Sequence, residues 1–132
     1  SDTLRENNIE VNPDFFSIHT QSESSILEDV FFMMTSYKAD QTPTALGASD
    51  DHIAAQVLRY VKKLNLSVPD DVAIVGWGNI ASSQITTPEL TTVDTEIPYF
   101  AYEVSEALIQ MAQGIKVESK LYKGRLIIRG ST

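Results

Sequence analysis

Ala73-Ile74-Val75 is an apolar run with no polar alternation, and it ends in Gly76-Trp77-Gly78-Asn79. A short uninterrupted run of this kind suits a parallel strand whose sheet is covered by helices on both faces. A sharp turn should follow, because Gly76 and Gly78 allow backbone conformations or close approaches that larger side chains resist. Open α/β sheets bind ligands outside the carboxyl ends of their strands, so the flat ring of Trp77 stands where a small molecule would sit. The stretch therefore constrains both the fold class and the position of any ligand edge.

The flanking segments supply the other elements of such a sheet. Ser1 to Asn8 reads as the end of a helix, with Asn7-Asn8 as its stop, and Asn12-Pro13-Asp14 reads as a turn. Phe15 to Thr20 is apolar-rich and reads as a strand, with His19 to Ser22 at its carboxyl end. Ser22, Ser24 and Ser25 offer caps for a helix over 24–37, in which Ile26, Leu27, Val30, Phe31 and Met34 recur at helical spacing and Phe32 and Met33 widen the apolar face. Thr44 to Ala48 reads as a short buried strand. Asp50 is placed to cap a helix over 51–64 with the inward stripe Ile53, Val57, Val61 and Leu64. Lys62 and Lys63 suit the negative end of its dipole, and Asn65 suits a left-handed stop. Ala54, Ala55 and Tyr60 are expected to be exposed on this helix, which leaves a subunit interface and an intramolecular role both open.

Val68-Pro69-Asp70-Asp71 turns the chain into the strand at Val72 to Val75. Ile80 to Thr87 is small and polar, and Pro88 blocks regular structure. Thr91 to Val93 reads as a short strand, after which Asp94 or Thr95 can cap a helix that tolerates Pro98 in its first turn. Phe100 or Ala101 with Val104, Leu108 and Met111 form its expected inward stripe, and Gly114 ends it. Lys120 to Tyr122 and Arg125 to Arg129 are the closing segments, with Leu126-Ile127-Ile128 as the last strand. The order predicts a doubly wound α/β unit with one mostly parallel sheet flanked by helices. Its ligand edge would collect His19 to Ser22, Ser49 and Asp50, Trp77 to Asn79, and Asp94 and Thr95, with Ser22, Ser49, Asp50, Trp77, Asn79 and Thr95 as the candidate ligand contacts.

At 132 residues, with 42% hydrophobic and 21% charged residues, the chain has the length and composition of one globular domain over 1–132. No apolar run is long enough to cross a bilayer, and the amino terminus lacks a secretory layout, so a cytoplasmic location is expected. The absence of cysteine excludes disulfides, thiolate metal sites and cysteine nucleophiles. A net charge of −8 opposes contact of this segment with phosphate backbones, because nucleic-acid affinity rests on clustered Lys and Arg.

The polar clusters do not point to catalysis. Asp50-Asp51 and Asp70-Asp71 read as caps and solvated turn residues rather than acid/base pairs. His19 and His52 lack metal-ligand spacing, and no nucleophile elbow or phosphate-loop lysine pattern accompanies Gly76-Trp77-Gly78. Neither a catalytic residue nor a metal or other cofactor is expected.

Three runs together resemble a known family. PTALGASDDHIAAQVLRYVKKLNLSVPDDVAIVGWGN spans Pro43 to Asn79, PELTTVDTEI spans Pro88 to Ile97, and RLIIRGST closes the chain. In this order and spacing they resemble the LacI/GalR family of bacterial transcription regulators. The resemblance implies one lobe, the carboxyl-terminal one, of a periplasmic-binding-protein-like fold. It implies a small-molecule effector, such as a sugar, in a cleft between two lobes, and operator DNA bound through an amino-terminal domain that lies outside this chain. It also implies a homodimer through the helix after Asp50 and the segment after the glycine turn, with His52, Ala55, Gln56, Arg59, Ile80 and Ile85 at the interface. Effector contacts carried over by the motifs fall on Ser49, Asp50, Trp77 and Thr95. A lobe of an extracytoplasmic solute-binding protein shares this fold and is the alternative. Many sugar-binding members carry an aspartate after the aromatic residue, where this sequence has Gly78. A carboxylate can accept hydrogen bonds from two neighbouring hydroxyls, and glycine offers no side chain.

Overall fold

The computed structural model describes residues 2–9, 12–15, 23–38 and 41–132. Its helices are α1 (Asp2–Glu6), α2 (Glu23–Thr35), α3 (Asp51–Lys63), α4 (Ser82–Ile85) and α5 (Ile97–Ala112). The strands β1 (Ala45–Gly47), β2 (Ala73–Trp77), β3 (Thr91–Asp94) and β4 (Arg125–Ile127) form one sheet in the order β1-β2-β3-β4. The first three run parallel and β4 is antiparallel to β3. Trp77 lies opposite Val93, so the carboxyl ends of β2 and β3 finish at one edge of the sheet.

α3 organises the packing. The Asp50 carboxylate accepts the Ile53 N–H at 2.9 Å, satisfying an amide that has no partner within the helix. At the other end Asn65 takes a φ of +60°, the left-handed stop its short polar side chain tolerates. Between them Ala54, Val57, Leu58 and Val61 face Val30 of α2, Ile74 of β2 and the loop residues Val72 and Leu90. Each large apolar side chain so buried contributes about 1.5–3 kcal/mol. Ile74 and Gly76 lie buried on one face of β2, whereas Ala73, Val75 and Trp77 on the other are only partly covered.

Ser131 stitches the sheet from the far end of the chain. Its backbone carbonyl accepts the Ile74 N–H at 2.8 Å, its hydroxyl donates to the Ile74 carbonyl at 2.6 Å, and its Oγ accepts the Thr91 N–H at 2.8 Å. The terminal Gly-Ser-Thr thus joins β2 and β3 at their amino ends.

Several expectations are corrected. Phe15 belongs to a 3-10 turn, Pro13–Phe15, rather than to a strand, and residues 16–20 of the expected strand lie outside the described residues. β1 sits at the edge of the described sheet, so it is not buried and only Leu46 is partly covered. Ala54 and Tyr60 are buried rather than exposed, because both turn toward the core and the Arg59 and Lys63 cations lie over the Tyr60 ring. Ile80 to Thr87 is not devoid of regular structure: one helical turn, α4, forms there around the buried Ser83.

The largest correction concerns α5. No residue of α5 is buried, and the expected inward stripe of Phe100, Ala101, Val104, Leu108 and Met111 is exposed. Among the described residues α5 packs on the chain that follows it. The Tyr122 ring meets Tyr99 and Phe100 edge-on at 6.4 and 5.2 Å, and Lys120 donates to Glu103 at 2.6 Å. That ion pair lowers the Glu103 carboxyl below its ordinary range and raises Lys120 above its own. The start of α5 also differs: Glu96 precedes it with a left-handed φ of +47° and no side-chain cap.

Candidate functional site

β2 ends in a turn whose geometry accounts for both glycines. A Cβ on Gly76 would stand 2.2 Å from the Asp51 Oδ1, so Gly76 serves the close approach of α3. Gly78 has a φ of +118°, a region that L side chains resist, so it serves the turn itself. Asn79 follows at +50°, which asparagine tolerates.

The three amides after Trp77 are all engaged by the protein. Gly78 donates to the Val93 carbonyl at 2.8 Å, Asn79 to the Thr92 Oγ1 at 3.3 Å and Ile80 to the Asp51 Oδ2 at 2.9 Å. A phosphate-cradling loop needs such N–H groups free, so this glycine turn is not one. Trp77 remains 51% exposed at the sheet edge. A flat ring half open to solvent suits stacking on a ligand.

Ser49 is exposed at the end of β1 and Thr95 is half-buried just after β3. Topology brings them to the same edge as Trp77. Asp50 commits one carboxylate oxygen to the α3 cap. Asn79 donates to Asp94 Oδ2 at 3.1 Å and accepts from Arg129 at 2.6 Å. Ser22 lies outside the described residues. On the helix side His52 and Arg59 are exposed, Ala55, Gln56 and Ile80 are half-buried, and Ile85 stands 82% exposed.

Sequence reasoning placed Asp94 at this edge but missed the parts that Asp51 and Arg129 play in fixing it. Asp51, expected to be a cap or solvated turn residue, is fully buried, and its Oδ1 also accepts the Thr92 hydroxyl at 2.6 Å. Asp94 accepts from the Glu96 N–H at 2.9 Å and from Arg125 at 3.4 Å. These contacts, the Glu96 N–H first, hold its carboxyl below the usual aspartate range. Arg129 was read only as part of a closing strand. The sequence carries no signal for it, since Leu126-Ile127-Ile128 is uniformly apolar; the strand's alternation in the structure leaves Leu126 and Ile128 exposed and Ile127 and Arg129 partly covered.

The model of the periplasmic binding protein-like domain matches residues 1–132. The chain belongs to that family. It is 37% identical over 94 residues to the HTH-type transcriptional repressor CytR of Escherichia coli, covering 70% of this chain and 28% of that repressor. It is 32% identical over 96 residues to the arabinose metabolism transcriptional repressor of Geobacillus stearothermophilus, covering 70% of this chain and 26% of the relative. Among solved structures, a sugar-binding LacI-family transcriptional regulator from Escherichia coli matches with a TM-score of 0.80 and 26% identity, over 99% of this chain and 46% of that one. The resemblance to LacI/GalR regulators is thus borne out, and so is the expected α/β class. The chain spans about a quarter of the length of these curated relatives and about half of the solved regulator. These relatives are transcriptional regulators rather than enzymes. Among the described residues no helix is long and apolar enough to cross a membrane.

Proposed function

We propose that this chain is the effector-binding and dimerisation lobe of a LacI-type transcription regulator, with Trp77 as one wall of a cleft for a small-molecule effector. The half-exposed Trp77 at the carboxyl edge of a parallel sheet carries the reading, in a family whose relatives are named as repressors. Ser49, Asp50 and Thr95 supply hydrogen-bonding groups at the same edge, and no catalytic step is assigned to them. The effector is a sugar or a related metabolite held more by stacking on Trp77 than by a carboxylate at position 78. The uncovered apolar face of α5 supports a second lobe closing the cleft from the other side. Operator DNA is bound by another part of the longer protein, since a net charge of −8 disfavours contact through this lobe. The protein acts in the cytoplasm as a homodimer through α3 and the segment 80–85, where Ile85 is exposed.

A thermal-shift screen of the intact regulator against sugars, nucleosides and sugar phosphates tests this. A ligand at about 100 times its dissociation constant stabilises by roughly 2.7 kcal/mol. The expected result is a shift with one class of compound that Trp77→Ala abolishes. A shift that survives Trp77→Ala removes Trp77 from the site, and no shift with any compound removes effector sensing.

A further inference from the structure

Arg129 is almost enclosed, with its side chain 12% exposed. Its Nη1 donates to the Ser83 Oγ at 3.0 Å and to the Leu90 carbonyl at 2.8 Å, and its Nη2 donates to the Asn79 Oδ1 at 2.6 Å. On its other side the Asn79 Nδ2 donates to the Asp94 Oδ2 at 3.1 Å. The amide has one sensible orientation, since its oxygen faces a guanidinium and its nitrogen a carboxylate. The second Asp94 oxygen accepts the N–H of Glu96, immediately before α5. One unbroken chain of hydrogen bonds therefore runs from α4 through Arg129, Asn79 and Asp94 to the start of α5. It passes two residues from Trp77. Among the described residues α4 and α5 make at most marginal direct contact; the Leu90 N–H on the Ser83 carbonyl links α4 to the start of β3, and this chain of side-chain hydrogen bonds is a second link, at the ligand edge.

We propose that Asn79 is a positioning residue that couples the setting of α5 to that of α4 at the ligand edge. The role needs a group that accepts from Arg129 and donates to Asp94 at once. An amide does both, whereas a carboxylate would meet Arg129 and repel Asp94. A ligand that moves Trp77 pulls on the Gly78-Asn79 backbone and so shifts both bonds together. The biological meaning rests on the regulatory reading above, while the coupling itself is measurable without effector or DNA.

The test is hydrogen exchange by mass spectrometry on the intact protein, following segments 96–100 at the start of α5, 90–92 beside α4 and 73–75 in β2. Asn79→Gly removes the amide while glycine keeps the left-handed backbone, so the turn survives. It is expected to speed exchange roughly fivefold or more at both 90–92 and 96–100, about the factor that loss of one net hydrogen bond allows. Asn79→Asp keeps the acceptor for Arg129 and is expected to speed exchange only at 96–100. Arg129→Met is the decisive variant, because Arg129 bonds to no residue of α5: coupling through Asn79 requires faster exchange at 96–100 as well as at 90–92. Unchanged exchange at 96–100 in Arg129→Met overturns the proposal. An equal rise at 73–75 in Asn79→Gly also overturns it, since that reports general loosening. If the effector screen fails while these patterns hold, the regulatory reading falls and the coupling stands.

Discussion

Gly76 and Gly78 stand two positions apart and answer different demands. Gly76 is small because α3 presses its first turn onto β2, leaving the Asp51 Oδ1 only 2.2 Å from where a Cβ would be. Asp51 has little room to withdraw, since it is held by the Thr92 hydroxyl at 2.6 Å and the Ile80 N–H at 2.9 Å. Gly76→Ala is therefore expected to lose about 1–3 kcal/mol of stability, the range for overpacking a close contact. The change in urea midpoint measures it, and an unchanged midpoint would show that Asp51 moves aside freely. Gly78 is glycine because its φ of +118° strains any side chain whatever the space around it. The backbone at position 78 thus favours glycine on its own account. Both glycines were legible in the sequence as punctuation, but their separate reasons were not. The same holds for Asp50 and Asp51: Asp50 has extended backbone and caps α3 from outside, while Asp51, the first helical residue, is buried against β2 and β3.

At the scale of elements, periodicity identified α2, α3 and α5 to within a residue or two, because 3.6-residue spacing is local information. It did not reveal what each stripe faces. In α3 the stripe meets β2 and α2, whereas in α5 the same kind of stripe meets solvent, with Leu108 60% exposed. Leu108→Glu combined with Met111→Glu is accordingly expected to leave the stability of the 132-residue chain within about 0.5 kcal/mol, the usual range for exposed positions. On the proposal that a second lobe covers α5, the same pair in the intact regulator is expected to destabilise it, since a charge would then be buried. Chemical denaturation of both proteins makes the comparison, and a loss above about 2 kcal/mol in the short chain would return the stripe to the core. α4 escaped the sequence reading for a related reason. Its single turn is held by contacts from distant positions, Arg129 on the Ser83 hydroxyl at 3.0 Å and the Leu90 N–H on the Ser83 carbonyl at 2.8 Å.

For the molecule as a whole, the acidic charge agrees with the proposal that this lobe does not itself contact DNA. The exposed Ile85 and the flank of α3 beside it form the face assigned to a second copy. Ile85→Glu is expected to raise the dimer dissociation constant of the intact regulator at least tenfold, about 1.4 kcal/mol, with little change in monomer stability. Sedimentation equilibrium measures this, and an unaltered constant would move the dimer face elsewhere. The sequence by itself determined the α/β class, the parallel strand ending at Trp77, the Asp50 cap and the family, because periodicity, capping and motif spacing are properties of the chain read in order. Only the tertiary structure decided that α5 lies uncovered, that Asp51 is buried against Gly76, and that Arg129 reaches across 50 positions to Asn79. Each of these depends on which distant segments meet, and a local pattern carries no record of that.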